Sequence, residues 1–179
     1  MVNMGEDIIN VWLQDVCKHF VRSNIIVRKK QRIINGKKRG GGRGKEIDFL
    51  STDGKNYYWV EVSCSLHPFL PPKKTRAKVI LNLAKKKFDK EKKDAIQGLI
   101  GHKKIDQWFV YSPKLFTHKK DEESYRNSLK REKIKAISFD DVLKETCKKL
   151  NYVGYDTPRQ YLNLLTLIRD PNRSLSTLR

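Results

Sequence analysis

Two acidic residues, Asp48 and Glu61, stand where strands would normally be apolar in EIDFLSTDGKNYYWVEVSCS (46–65), which reads as two strands joined by a tight turn. Between them lies Asp53-Gly54, a strong two-residue hairpin signal. A loop of those two residues makes Thr52 face Lys55, Asp48 face Trp59 and Glu46 face Glu61. All of these point to one side of the sheet, because faces alternate with period two. Asp48 and Glu61 are then diagonal neighbours, roughly 7–8 Å apart at their backbones. Like charges this close, with Ile47, Phe49, Val60 and Val62 around them, repel, and without a cation at least one carboxyl has a raised pKa. A hard divalent ion such as Mg²⁺ or Mn²⁺ removes that cost through oxygen ligands. An exposed polar face balanced by nearby lysines removes it equally well, and spacing alone leaves both open.

The elements that must position these acids can be read along the chain. Gly5 to Val21 has the periodicity of an amphipathic helix, with Ile9, Trp12, Leu13, Val16, Cys17 and Phe20 on one stripe. Glu6 falls at the N-terminal end of that inward face, where an acid also complements the helix dipole. Residues 25–34 are strand-like, and residues 35–45 form a glycine-rich basic loop that should not pack. A helical stretch spans about 73–99, as one helix or two, with Ala77, Ile80, Ala84 and Phe88 on one face. Residues 105–112 and 134–138 are expected strands, the segment 117–133 is a helix or a loop, and Ser138 caps a helix to about Leu150. Asp156-Thr157-Pro158 starts a last helix. The order implies an α/β domain over 1–150, a mixed central sheet flanked by helices, with a short C-terminal helix and tail over 151–179.

Charge narrows the partner. The chain of 179 residues carries a formal net charge of +19. Nine basic residues and no acid lie between Arg28 and Lys45 before Glu46, and ten basic residues face two acids between Lys73 and Lys93. Ordinary solvated helices mix signs, so such runs point to a polyanion, nucleic acid before any other. No basic amphipathic helix with a Trp/Phe face favours a membrane surface. Three scattered cysteines (Cys17, Cys64, Cys147) argue against a zinc site or a disulfide framework. With no signal peptide or long apolar run in view, a reducing, intracellular setting such as the cytoplasm is expected.

Glu46-Ile47-Asp48, a turn, and then an apolar strand bearing Glu61-Val62 resemble the core of the PD-(D/E)xK nuclease superfamily, which has the restriction-endonuclease-like fold. The resemblance covers roughly residues 5–110. It implies that Asp48 and Glu61 bind Mg²⁺ or Mn²⁺, that the Val62 carbonyl completes the coordination, and that Glu6, on the preceding helix, serves as a further ligand or orients water. Glu46 is an additional candidate ligand. The departure is Ser63, which stands where the family has a lysine. Three outcomes are open: Lys74 or Lys78, one helical turn apart, projects into the site instead, with Lys45 a lesser candidate; the metal and Glu6 suffice for slow hydrolysis; or the site is inactive.

The resemblance thus implies a Mg²⁺-dependent endonuclease cleaving phosphodiester bonds in DNA, with RNA the other substrate class. Arg39, Arg43, Lys45, Lys73, Lys74, Arg76 and Lys78 would hold the backbone. Many family members act as dimers, although no interface is legible here. The alternative is a catalytically inactive nucleic-acid-binding module on the same fold.

Overall fold

A computed structural model describes residues 4–27, 32–34, 37–39, 44–63, 73–116 and 118–149. The expected C-terminal helix, Arg43 and Cys64 therefore lie outside the described residues, as do the side chains of Arg39, Lys73, Lys74 and Arg76. The elements run α1 (Met4–Val11), β1 (Phe20–Val27), β2 (Arg32–Ile34), β3 (Lys37–Arg39), β4 (Lys45–Thr52), β5 (Tyr57–Ser63), α2 (Lys73–Lys87), α3 (Lys90–Ile100), β6 (Ile105–Tyr111), α4 (Lys119–Arg131), β7 (Ile134–Ser138) and α5 (Phe139–Lys149). The class is α/β, with a five-stranded mixed sheet flanked by helices. Its order is β1-β4-β5-β6-β7, antiparallel from β1 through β5 and parallel from β5 to β7.

Both sheet faces are covered, as parallel strands require. On one face α1, the π-helical turn Trp12–Val16 and α5 pack on Phe49, Val60, Val62, Val110 and Ile137. On the other, α2 and α4 meet Phe109 and Tyr111, while α3 sets Ile96 against Trp59, Leu50 and Ile47. Every one of these contacts removes apolar surface from water, which is what holds the layers together.

Three expectations change, and the choice between one helix and two over residues 73–99 is decided. The first helix ends early: Cys17 N–H bonds the Trp12 carbonyl, His19 N–H bonds that of Leu13, and Lys18 takes a φ of 59°. The chain therefore reverses, and Phe20 opens β1 with 79 % of its surface exposed instead of completing the apolar stripe.

The basic loop is not wholly irregular, because Lys37–Arg39 pairs antiparallel with Arg32–Ile34 as a separate two-stranded sheet. Asn35-Gly36 lies between them in sequence, a hairpin signal that the charge run obscured.

The β4–β5 loop holds four residues, not two. Asp53 accepts hydrogen bonds from the N–H groups of Lys55 and Asn56, and Thr52 Oγ1 accepts one from Gly54 N–H. These side-chain bonds close a wider turn, with Gly54 at a φ of 91°. Thr52 consequently faces Tyr57 and Phe49 faces Val60. A shift of two residues preserves parity, and continuing this register would bring Asp48 opposite Glu61, although the paired ladder ends at Phe49–Val60.

The long helical stretch is two helices. Phe88 leaves the helical path, and Asp89 caps α3 by accepting a bond from Lys92 N–H at 3.1 Å. Phe88 packs against Trp59 with ring centroids 4.8 Å apart and against Phe109 at 6.4 Å. The break is thus fixed by an aromatic side chain seated under the sheet.

Candidate functional site

Asp48 and Glu61 come together on the sheet face covered by α2 and α3. Glu61 is fully buried and Asp48 is 8 % exposed. Around Asp48 the strand departs from strict alternation. The β1–β4 ladder passes from Ser23–Phe49 to Ile25–Ile47, and between these pairs Asn24 adopts a φ of 53°. The β4–β5 ladder ends at Phe49–Val60, and beyond it the Asp48 carboxylate bridges the strands instead: Val62 N–H donates to Oδ2 at 2.7 Å.

A lysine ammonium completes the cluster. Lys87 Nζ donates to Asp48 Oδ2 at 2.7 Å and to the Val62 carbonyl at 2.8 Å, and lies 3.4 Å from Glu61 Oε2. The break at Phe88 puts Lys87 in the last turn of α2, where a cation also suits the helix dipole. Burial opposes its charge, but Asp48 and Glu61 outweigh that and hold its pKa above the ordinary lysine value.

Glu61 has a divided environment. Its Oε1 accepts from Trp59 Nε1–H at 2.8 Å and from Lys92 Nζ at 2.8 Å. Lys92, on α3, is itself buried, with 8 % of its side chain exposed. Oε2 is buried and makes no hydrogen bond among the described residues, since 3.4 Å to Lys87 is long for one. Burial first, and the Asp48 charge second, push the Glu61 pKa up to about 7 against the opposing pull of Lys92 and Lys87. Charge repulsion between the pair, expected from spacing, is accordingly present and only partly offset.

The other expected site residues are placed as follows. Glu6 lies half-buried on α1, the helix that packs on the opposite sheet face, beside Ile8 and Ile9. Glu46 is exposed and pairs with Ile26 of β1. Lys78 is exposed on α2, nine residues before Lys87 and therefore about half a turn round the helix from it. The lysine that reaches the carboxylates is therefore Lys87 and not Lys78. Lys45 Nζ is engaged by Asp89 at 3.1 Å and Glu91 at 2.8 Å, which ties the start of β4 to the start of α3. Ser63 ends β5 opposite Tyr111.

Lys87 and Lys92 were both within the basic run assigned to phosphate contact, and helical periodicity alone did not single them out. The signal that could have done so is Asp89, a capping residue type in the middle of the run.

The donor set suits a hard divalent cation. Asp48 Oδ2, the Val62 carbonyl and Glu61 Oε2 all surround the Lys87 ammonium, and oxygen is the ligand such ions take. Among the described residues no three His, Cys, Asp or Glu side chains gather. A divalent ion here could draw on two carboxylates and a carbonyl from these residues.

No protein-family model and no curated protein matches this chain. A solved structure described as a protein of unknown function, AF1548, aligns with a TM-score of 0.41 and 16 % identity over 77 % of this chain. The chain spans 59 % of that protein's length. No helix among the described residues is long and apolar enough to cross a membrane.

Proposed function

We propose that this chain is a divalent-metal-dependent endonuclease acting on DNA, built on a restriction-endonuclease-like core of the PD-(D/E)xK type. One observation carries the reading: two buried carboxylates, a backbone carbonyl and a lysine ammonium converge at the end of a hairpin in a strongly basic chain. Each part has a task in phosphodiester hydrolysis. Asp48 and Glu61 would hold the cation, with the Val62 carbonyl, which shares the Lys87 ammonium with them, as a further ligand. A divalent ion bound there supplies water activation and shields charge on the phosphate. Trp59 and Lys92 fix Oε1 of Glu61, so that only Oε2 faces the reacting side. Lys87 takes the place of the lysine missing at position 63, its ammonium donating to a non-bridging phosphate oxygen as charge builds there.

The test is cleavage of supercoiled plasmid in Mg²⁺ or Mn²⁺ against an EDTA control. Native protein should nick or linearise the plasmid only with metal, and Asp48→Ala and Glu61→Ala should each abolish this. Native-like cleavage by those variants rules the reading out.

A second reading is a DNA-binding module without catalysis, in which Lys87 is a permanent internal counter-ion. It is favoured by the two oxygens that Lys87 already satisfies, Asp48 Oδ2 and the Val62 carbonyl. Salt-sensitive DNA binding, with no Mn²⁺ binding and no cleavage, selects it.

A further inference from the structure

A second electropositive feature lies away from the carboxylates. The turns α3–β6 and α4–β7 are neighbours because β6 and β7 pair in parallel, Gln107 beside Ile134. Both turns are tight, with positive φ at Gly101 (70°), His102 (60°) and Lys133 (61°). They present exposed basic side chains side by side: Lys103 and Lys104 from one, Lys133 from the other, with His102 beside them. With Lys93 of α3 these residues line a hollow of about 380 Å³, floored by the buried Trp59.

Its acids are largely answered. Glu132 is paired with Lys85, and Asp106, beside the hollow, lies 3.5 Å from Lys104. Lys93, Lys103 and Lys133 have no carboxylate partner among the described residues, and Lys103 sits over the Tyr57 ring at 5.4 Å. Unpaired lysines held by tight turns around a concavity are suited to phosphate oxygens. None of them belongs to the basic runs in which the backbone grip was sought, except Lys93.

The hollow also has a definite relation to the site. Trp59 floors it while its indole N–H holds Glu61. Along β5, Tyr57 stands five residues before Val62, roughly 16 Å at strand rise. That matches nearly five base-pair steps of about 3.4 Å. We propose that this hollow is a second contact surface for the phosphate backbone of duplex DNA, engaging it several base pairs from the carboxylates. The proposal rests on the nucleic-acid reading above, but not on cleavage.

The test is fluorescence anisotropy with a fluorescein-labelled 25-base-pair duplex in EDTA, from 50 to 200 mM salt. Lys103→Gln/Lys133→Gln should weaken binding about tenfold or more and flatten the log–log salt slope by about 2, one for each lost phosphate contact. Lys144→Gln/Lys148→Gln, with the same charge change on exposed positions of α5, should leave the slope unchanged. An unchanged Kd and slope for the first pair, an equal loss for the second, or no binding by the native chain overturns the proposal. Altered slope in a chain that never cuts DNA keeps the surface and removes the nuclease; metal-dependent cutting with an unaltered slope does the reverse.

Discussion

Lys87 Nζ donates to Asp48 Oδ2 at 2.7 Å, across 39 residues of sequence, from the last turn of a helix to the middle of a strand. The same nitrogen reaches the Val62 carbonyl, so one ammonium touches two of the oxygens a divalent ion would use. That relationship makes the lysine both a catalytic candidate and a competitor for the metal.

Lys87→Met separates the two roles. Cleavage should fall by about 100-fold or more, the scale of losing a positioned charged group. Mn²⁺ affinity, read by calorimetry, should be unchanged or tighter, because a competing cation is gone. Weaker Mn²⁺ binding in this variant would show instead that Lys87 supports the metal site.

Lys92→Met removes the buried partner of a buried carboxylate. At pH 8 the loss should be about 3–5 kcal/mol in urea unfolding, as for one partner of a buried pair. At pH 5 Glu61 takes a proton and the loss should be smaller. Adding Glu61→Gln should recover part of it, a coupling that a double-mutant cycle measures. Strictly additive losses contradict a direct Glu61–Lys92 interaction.

The Glu61 carboxyl binds its proton more tightly in the folded chain, near pH 7, than its ordinary value of 4.5 allows. Its contribution to stability is therefore fully present below about pH 4.5 and is lost as pH rises through about 7. For metal-free protein, the Tm difference between native and Glu61→Gln chains should fall between pH 5 and pH 8. A flat or rising difference contradicts the assignment. Divalent metal binding should strengthen over the same interval, since the ligand must lose its proton.

Asp89→Ala removes the cap at the start of α3. Losing the bond from Lys92 N–H should cost about 1 kcal/mol, with little added by the exposed pairing to Lys45. Thermal unfolding reads it directly. A change within a few tenths of a kcal/mol means that the break is held by Phe88 alone.

How much of this was legible follows from what each residue depends on. The carboxylates sit on the expected side because a strand's faces are set by parity, and a loop of four residues instead of two preserves parity. The register itself was missed because it depends on Asp53 closing the wider turn, a competition between turn types that the Asp-Gly pair does not decide. Strands β6 and β7 and helix α5 were readable from local patterns. The lysine was not, because its aim depends on where a basic helical run breaks, and Phe88 against Trp59 and Phe109 is a contact between distant segments. The first helix was overextended because apolar periodicity ran on to Phe20 past a turn that only backbone conformation reveals.

The kink between α2 and α3 divides the site by stiffness. Glu61 and Val62 sit on a strand paired with β6, and the Asp48 carboxylate is tied to that strand by the bond from Val62 N–H. Lys87 stands at a helix terminus on four rotatable side-chain bonds, so its ammonium can turn away from the carboxylates without altering the sheet. For the proposed cation and phosphate, the carboxylates would form a fixed cup and Lys87 a movable stopper.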